Sequence, residues 1–212
     1  MDAVTLSPAP GISAYLLDCT QFLDDARCQH ALAALSPARR QKALSCRLRA
    51  DRSRSVAAGL ALDLGLQAYG LREKDVRMEA GRDGKPFLPE HPELSFNLSH
   101  SGSLALAVFA DRPVGCDIQQ MRGARLSTAA RWFHPSELHY LQAAQTPAET
   151  EARFYRLWTL KESYAKATGR GLLLPLQSFA VDLSSGQPQL CGCRLFELRC
   201  PDGYYAACCV LD

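Results

Sequence analysis

The sequence predicts an α+β fold made of two similar halves in one chain, and three observations support this prediction. The chain has 212 residues, of which 47% are hydrophobic and 22% are charged, so it is long enough for one large core. Each half begins with helical periodicity and continues with apolar stretches of strand length. The halves are each about 100 residues long. A cleft between two such halves would be a favoured place for a ligand site.

In the first half, helical segments are predicted from about residue 23 to residue 71. Ser36-Pro37 interrupts them, because a serine cap followed by proline at the first helical position begins a new helix. A turn is expected over 81–86. Strands are predicted at three places: 12–18, 94–99 and 104–109. The last two are joined by a tip that begins at His100.

The second half is predicted to repeat this plan after a strand over 114–118. Its helices are expected over 124–144 and 149–168, with a polar break at 145–147 between them. Its remaining strands are expected at three places: 179–182, 193–199 and 204–211.

Charge and termini restrict the classes of function. The formal net charge is +2, too small to indicate a nucleic-acid partner by itself. The N-terminal stretch has neither a basic region nor a long apolar run, which predicts no signal peptide, no membrane anchor and a cytoplasmic location. The nine cysteines form no C-x-x-C pair, and we interpret them as reduced and mostly buried.

Basic residues cluster after Ser36-Pro37. Arg39 and Lys42 lie one helical turn apart, and Arg54 follows a few turns later. Arginine forks and lysine charges are the usual partners of phosphate, so these cations could converge on one. The alternative is a solvated basic helix face.

A second cluster combines Gly84-Lys85-Pro86 with Asn97-Leu98-Ser99-His100-Ser101-Gly102. A histidine flanked by serines and a glycine can offer a side-chain donor and several backbone N–H groups to an anion. The alternative is a histidine that is only solvated.

Two further clusters carry acidic residues. Asp117 and Gln119 lie on one face of a predicted strand and offer the oxygen ligands that Mg²⁺ prefers, although Asp117 could also cap a turn. Trp158, Glu162 and Lys166 share one face of the last helix. As a surface pair, Glu162 and Lys166 would add only about 0.2–0.5 kcal/mol to helix stability.

In order along the chain, these clusters resemble the motifs of the Sfp-type 4'-phosphopantetheinyl transferases. The matching stretches lie between residues 36 and 171: Ser36-Pro37-Ala38-Arg39, Asp51 with Arg54, Gly84-Lys85-Pro86, Asn97-Leu98-Ser99-His100-Ser101, Gly115-Cys116-Asp117-Ile118-Gln119, Phe133-His134-Pro135-Ser136-Glu137, and 158–171 (WTLKESYAKATGRG). The resemblance implies two α+β halves with coenzyme A in the cleft between them. Residues 1–112 would form the 3'-phosphate and adenine side, and residues 113–212 the metal and catalytic side.

The resemblance also implies an activity. The protein would transfer the 4'-phosphopantetheine group from coenzyme A to a serine of an apo acyl or peptidyl carrier protein and release 3',5'-adenosine bisphosphate. Mg²⁺ would be the metal, with Mn²⁺ as an alternative. The partners would be carrier proteins, without nucleic acid or membrane, and the chain would act as a monomer because it supplies both halves of the cleft.

Residue roles follow from the same resemblance. Asp117 and Glu162 would hold the metal together with Gln119, and Lys166 would neutralise the pyrophosphate. Either Glu137 or Glu162 would take the proton of the attacking serine, and we expect Glu162 to act as a metal ligand with Glu137 close to the role of base. The residues implied for coenzyme A are Arg39, Lys42, Arg54, Lys85, Pro86, Ser99, His100 and Lys166.

One position departs from the family pattern. Many relatives carry glutamate where this chain has Gln119, so its site would have one negative charge fewer, and we expect an altered balance between Mg²⁺ and Mn²⁺. The competing hypotheses are a metal-dependent phosphohydrolase of coenzyme A or a nucleotide, and a non-catalytic module that binds coenzyme A or carrier protein. The segment 121–140 is our candidate for carrier contact, through three arginines and three apolar residues: Arg122, Arg125, Arg131, Leu126, Trp132 and Phe133. The alternative is an amphipathic helix whose apolar face packs into the core.

Overall fold

The structure is a computed structural model that describes residues 3–81 and 83–212. Its α-helices are Asp25–Ala33 (α1), Pro37–Leu44 (α2), Arg49–Gln67 (α3), Leu126–Trp132 (α4), Pro135–Gln142 (α5) and Pro147–Ala167 (α6). Its strands are Ala3–Ala9 (β1), Ile12–Asp18 (β2), Glu79–Ala80 (β3), Pro86–Phe87 (β4), Ser95–Ser101 (β5), Leu104–Ala110 (β6), Val114–Gln120 (β7), Cys193–Glu197 (β8) and Tyr204–Leu211 (β9).

The strands form antiparallel sheets that divide near the middle of the chain. A four-stranded sheet has the order β1-β2-β6-β5, a three-stranded sheet has the order β7-β9-β8, and β3 pairs with β4. Helices α1 to α3 lie between β2 and β5 of the first sheet in sequence, and α4 to α6 lie between β7 and β8 of the second. The predicted α+β class is confirmed.

Side chains that alternate between the two faces of each strand pack the two sheets face to face, with a layer of helices on each outer side. In β6, Ala107 and Phe109 pack into a core with α1, α2 and α3, while Leu106 and Val108 on the opposite face enter a core shared by both sheets. The shared core also contains Cys116 from β7. A third core lies between the three-stranded sheet and α4, α5 and α6. The chain therefore stacks helices, sheet, sheet and helices.

The two sheets meet along β5 and β7 through side chains. Backbone N–H groups of alternate β7 residues donate to polar side chains of alternate β5 residues, and we call this set of bonds the seam ladder. Its four bonds run from Val114 N to Ser95 Oγ (3.2 Å), Cys116 N to Asn97 Oδ1 (2.9 Å), Ile118 N to Ser99 Oγ (3.3 Å) and Gln120 N to Ser101 Oγ (3.0 Å). The Asn97–Ser101 motif thus joins the halves as well as bordering the site.

Several predicted elements are found, with shifted ends. The strand at 12–18 is β2, and the first helical region contains α1, α2 and α3 with Ser36 as the N-cap of α2. The last long helix begins at Pro147, two residues earlier than expected, because Thr146 caps it.

Other predictions were wrong in identifiable ways. β1 was not predicted because Pro8 interrupts its pattern, but an edge strand tolerates proline. His100 lies inside β5 rather than at a hairpin tip, and Gly102 takes the turn with φ 56°. The helix expected over 124–144 is two helices, since His134 caps a new one at Pro135. The segment 179–182 forms only an isolated bridge.

The division predicted at residues 112 and 113 falls in the turn between β6 and β7, where the chain passes from one sheet to the other. Because the two sheets share a core, the parts pack as one body. Their mutual similarity stays a prediction. Arg82, within the predicted turn 81–86, lies outside the described residues. Among those that are described, no helix combines the length and apolarity needed to cross a bilayer.

Candidate active site

A polar cavity of about 360 Å³ lies where β5 and β7 meet helices α2, α3 and α6. Both halves of the chain contribute to it. Its lining residues are Arg39, Lys42, Ser55, Ala58, Leu98, Ser99, His100, Asp117, Gln119, Glu162 and Lys166. Eight of the predicted site residues, several of them far apart in the sequence, therefore come together in one place: Arg39, Lys42, Ser99, His100, Asp117, Gln119, Glu162 and Lys166.

Asp117 occupies the centre of this group and is 2% exposed. Its Oδ1 accepts from Lys166 Nζ at 2.7 Å and from Ser99 Oγ at 2.9 Å. Its Oδ2 accepts from Gln119 Nε2 at 3.0 Å. The carboxylate is held by both halves of the chain, since Ser99 belongs to the other sheet.

The approach of α6 to β7 depends on Gly115. A Cβ atom at this position would lie 2.1 Å from the carbonyl oxygen of Ser163 and 2.3 Å from the backbone nitrogen of Ala167. Only glycine allows this approach, which places Lys166 beside Asp117.

Glu162 lies one helical turn before Lys166 and is 8% exposed. Its Oε1 is buried and has no hydrogen-bond partner among residues 3–81 and 83–212. Burial and the negative charge of Asp117 raise the pKa of this carboxyl, while Lys166 opposes the shift. A buried carboxylate oxygen without a partner is costly, and a cation would offset that cost.

The donor set fits a divalent cation of the Mg²⁺ type. Across the described ranges, 3–81 and 83–212, no group of three or more His, Cys, Asp or Glu side chains forms a metal site by itself. Two carboxylates, Asp117 and Glu162, border one cavity, and Mg²⁺ commonly takes one or two protein carboxylates and completes its shell with water or phosphate oxygens. Gln119 turns its amide nitrogen toward Asp117, so its amide must rotate to offer oxygen.

Lys166 stays charged in this setting. Burial is the largest single influence and lowers its pKa, but the charges of Asp117 and Glu162 and the hydrogen bond to Asp117 act together in the opposite direction, so the net effect raises the pKa. The side chain is 26% exposed and borders the cavity. A fixed cation is therefore present beside the two carboxylates.

The first half contributes the other cations. Arg39 and Lys42 project from α2, and His100 borders the cavity from β5. Although His100 is exposed at the cavity mouth, desolvation by the surrounding protein and the charge of Arg54 lower the pKa of its imidazole. Arg54 itself does not border the cavity, because it pairs with Asp51 and donates to the carbonyl oxygen of Gly102 at 3.1 Å.

Lys85 and Pro86 do not border this cavity and have different environments. Lys85 Nζ donates to the carbonyl oxygens of Val114 at 2.7 Å and Ala167 at 3.1 Å, so its amine connects the two halves. Burial lowers the pKa of Lys85 to about 8. Pro86 borders a neighbouring cavity of about 410 Å³ that shares Arg39 and Lys42 with the first.

Glu137 does not border the cavity. Its carboxylate is buried and accepts from Lys161 Nζ at 2.7 and 2.8 Å, from Val181 N at 2.8 Å and from His134 N at 2.8 Å. A role as base would require it to leave Lys161, which is 0% exposed. That role stays a prediction, and the geometry gives Glu137 a part in holding α5 to α6.

Three residues of this region were not identified from the sequence. Ser55 Oγ borders the cavity and is buried without a partner in the described part of the chain. The sequence could have indicated Ser55, because it directly follows Arg54 on a predicted helix. Lys161 lay within a quoted motif without an assigned role. Glu73, which contacts Ser36, had no signal because 37 positions separate the two residues.

The segment expected to contact a carrier protein is only partly a surface. Phe133 is 2% exposed and stacks on Phe154 with 5.5 Å between ring centroids, so its assignment to that surface was wrong. Leu126 is 57% exposed, and the guanidinium of Arg131 lies 4.9 Å from the Trp132 ring.

Fold and site together define an α+β protein with one polar cavity in which carboxylates meet cationic side chains from both halves of the chain. Comparison with known proteins agrees with this class. The family model described as the 4'-phosphopantetheinyl transferase superfamily matches residues 113–209.

Individual relatives extend the similarity beyond that range. A 4'-phosphopantetheinyl transferase of Bacillus subtilis is 35% identical over 153 residues, which cover 72% of this chain and 68% of the relative. The 4'-phosphopantetheinyl transferase Sfp of Bacillus subtilis strain 168 is 35% identical over 150 residues, covering 70% and 66%. The gsp transferase of Aneurinibacillus migulanus is 29% identical, covering 69% and 63%. The chain belongs to the 4'-phosphopantetheinyl transferase superfamily, as an enzyme of the Sfp type.

Proposed function

We propose that the protein transfers the 4'-phosphopantetheine group of coenzyme A to a serine of an apo acyl or peptidyl carrier protein. The observation that carries this proposal is the cavity in which Asp117, Glu162 and Lys166 face cations from the other half of the chain. The serine oxygen would form a bond to the phosphorus nearer the pantetheine. The bond from that phosphorus to the bridging oxygen would break, and 3',5'-adenosine bisphosphate would leave.

Binding of coenzyme A would use the first half of the chain. Arg39, Lys42 and His100 supply positive or hydrogen-bonding groups to one cavity, and the unpartnered Ser55 hydroxyl lies with them. We assign these residues to the 3'-phosphate, because anions are bound best by charged donors that are already in place. Pro86 and the neighbouring cavity would receive the adenine.

Asp117, Glu162 and the Gln119 amide would hold the divalent cation, with Mg²⁺ preferred for an all-oxygen donor set. When bound, this ion supplies positive charge to the pyrophosphate. Lys166 would add a second positive charge at the same group and stabilise the departing phosphate.

We assign the proton of the carrier serine to Glu162. Glu162 borders the cavity, and its Oε1 has no hydrogen-bond partner within residues 3–81 and 83–212, so this carboxylate has an oxygen free to accept the proton. Glu137 is less suitable because Lys161 and two backbone N–H groups already occupy its oxygens. The chain would act as a monomer, because both halves of one chain border the cavity, and its location would be the cytoplasm.

One assay separates the candidate functions. The protein is incubated with coenzyme A, Mg²⁺ and an apo carrier protein, and the carrier is weighed by mass spectrometry with and without a chelator. A carrier heavier by one phosphopantetheine, with release of 3',5'-adenosine bisphosphate, supports the transferase. Coenzyme A loss without carrier gain would indicate the hydrolase, and no change in either would indicate a binding module.

Gln119→Glu is expected to retain transfer while changing the metal dependence. The added charge strengthens cation binding, so we expect half-saturation at about threefold lower Mg²⁺ and a changed ratio of Mg²⁺ to Mn²⁺ activity. Metal titrations of the transfer rate measure this change. Gln120→Glu adds the same charge at the next residue of β7, where the side chain accepts from Arg122, and is the matched control. An identical response of both variants would contradict the role of Gln119.

Affinity for 3',5'-adenosine bisphosphate is expected to rise as pH falls from 8 to 6.5. Because the pKa of His100 is lowered in the free protein, the imidazole is neutral there, and a bound phosphate favours its protonated form. Binding therefore takes up a proton, and the Kd falls about threefold over this range. Calorimetry at both pH values measures the change. His100→Asn should lose this part of the pH dependence, and equal slopes in both proteins would contradict the assignment.

A further inference from the structure

We infer that Glu73, a buried carboxylate in the loop after α3, is a positioning residue that fixes the Arg39 guanidinium and thereby sets selectivity for the 3'-phosphate. The inference rests on the proposed function, which assigns Arg39 to that phosphate. Neither the sequence motifs nor the family resemblance singled out Glu73.

Glu73 is 0% exposed and connects the start of α2 to the cavity. Its Oε2 accepts from Ser36 N at 2.7 Å, and its Oε1 accepts from Ser36 Oγ at 2.8 Å. The same Oε1 lies 3.7 Å from Arg39 Nε. Since Ser36 Oγ also accepts from Arg39 N at 3.3 Å, one carboxylate fixes both the backbone and the side chain of Arg39.

The stem of Arg39 is held by a second contact. Arg39 packs against α3 at Gly59, where a Cβ atom would lie 3.0 Å from Arg39 Cγ. The side chain is 11% exposed. Within residues 3–81 and 83–212 its guanidinium makes an ion pair with Glu73 but no hydrogen bond. With Nε turned to Glu73, the two Nη nitrogens are left for an anion.

Asp63 in turn fixes Glu73. Glu73 N donates to Asp63 Oδ1 at 2.9 Å, and Asp63 also accepts from Arg72 Nε at 3.0 Å and from Gln67 Nε2 at 2.8 Å. Asp63 is 4% exposed. Two carboxylates are thus buried in one network, an arrangement that is costly unless each oxygen is hydrogen-bonded. The network ends at Arg39, on the cavity.

The negative charge of Glu73 acts on the charge and orientation of the Arg39 guanidinium, in addition to any contribution to packing. Burial lowers the pKa of Arg39, and the charge of Glu73 opposes that shift. Without Glu73 the guanidinium would lose its ion pair and its fixed orientation. A substrate with a 3'-phosphate would then lose a preorganised fork, whereas a substrate without that phosphate would lose little.

The test compares coenzyme A with 3'-dephospho-coenzyme A as substrates of the full chain. In Glu73→Gln we expect the ratio of their kcat/KM values to fall about tenfold, chiefly through a higher KM for coenzyme A. Arg39→Gln should lower the ratio as well, and adding Glu73→Gln to it should cause no further change. Equal losses for both substrates, or additive losses in the double variant, would overturn the inference in favour of a merely structural role.

If Glu73→Gln does not fold, Arg39→Lys provides a second test, because it leaves the hydrogen bonds from Ser36 to Glu73 in place. It keeps the positive charge but removes the Nε that faces Glu73, so the same fall in selectivity is expected. An unchanged ratio would overturn the inference. If the wild type transfers nothing to a carrier, the proposed function fails separately. Calorimetry with 3',5'-adenosine bisphosphate and 5'-adenosine monophosphate then measures the same ratio as relative affinities.

Discussion

Asp117→Ala is expected to abolish carrier modification, with a fall in kcat/KM of at least about a thousandfold. The change removes one of the two carboxylates that would hold the cation, and it also removes the partner of Lys166 at 2.7 Å. Lys166 would then lose its ion pair and be held by the longer hydrogen bond to Ser99 Oγ at 3.2 Å. Mass spectrometry of the carrier measures the transfer, and thermal unfolding measures whether the variant is folded.

Asp111→Ala is the matched control for this experiment. Asp111 is an exposed aspartate in the turn just before β7, outside the cavity that contains Asp117. It should therefore retain wild-type transfer. Asp117→Asn, which keeps the shape but not the charge, should be as inactive as the alanine variant. Full activity in Asp117→Ala would remove Asp117 from the site.

Gly115→Ala is expected to inactivate the enzyme through the backbone. The new Cβ would lie 2.1 Å from Ser163 O, 2.3 Å from Ala167 N and 2.8 Å from the carbonyl carbon of Lys166. These are backbone atoms of α6 and cannot rotate away, so the helix must move off β7 by about 1 Å or more to restore ordinary contact. Such a displacement costs about 10²-fold in rate, and overpacking costs about 1–3 kcal/mol of stability.

Gly186→Ala is the control for Gly115→Ala, because it introduces backbone strain without forcing two elements apart. Gly186 has a φ of 84°, so alanine is strained there, but no atom lies within 4 Å of the new Cβ. We expect this control to lose some stability and to keep its transfer activity. If the Gly115→Ala variant is folded and as active as the control, the close approach of α6 to β7 is not required for activity.

Local patterns in the sequence predicted most elements of the fold but not all of their limits. Periodicity identified the helical regions and β2, β5, β6 and β7, because alternation and helical spacing reflect burial on one face. β1 escaped because Pro8 breaks its pattern, and only its place at a sheet edge makes proline acceptable there. The break between α4 and α5 depends on a histidine cap, which is an uncommon type.

The site was predicted less completely, for physical reasons. Motifs identified residues such as Asp117 and Glu162, whose chemistry is visible in the residue type. They could not show that Lys85 bonds two carbonyl oxygens or that Glu137 is occupied by Lys161. Glu73 and Ser36 meet only in the folded chain, so a polar loop sequence gave no indication of their contact.

The seam ladder gives the two halves a single register that is encoded by small side chains. A slip of one residue would bring Phe96, Leu98 and His100 opposite the N–H groups of β7, and the two apolar residues could not accept their hydrogen bonds. A slip of two residues would move the halves past one another by about 6–7 Å. The seam ladder therefore helps to fix the distance between the cations of α2 and the carboxylates of β7 and α6. It does so through the side chains of Ser95, Asn97, Ser99 and Ser101. These four short side chains therefore also determine how the charged residues of the two halves are aligned around the cavity.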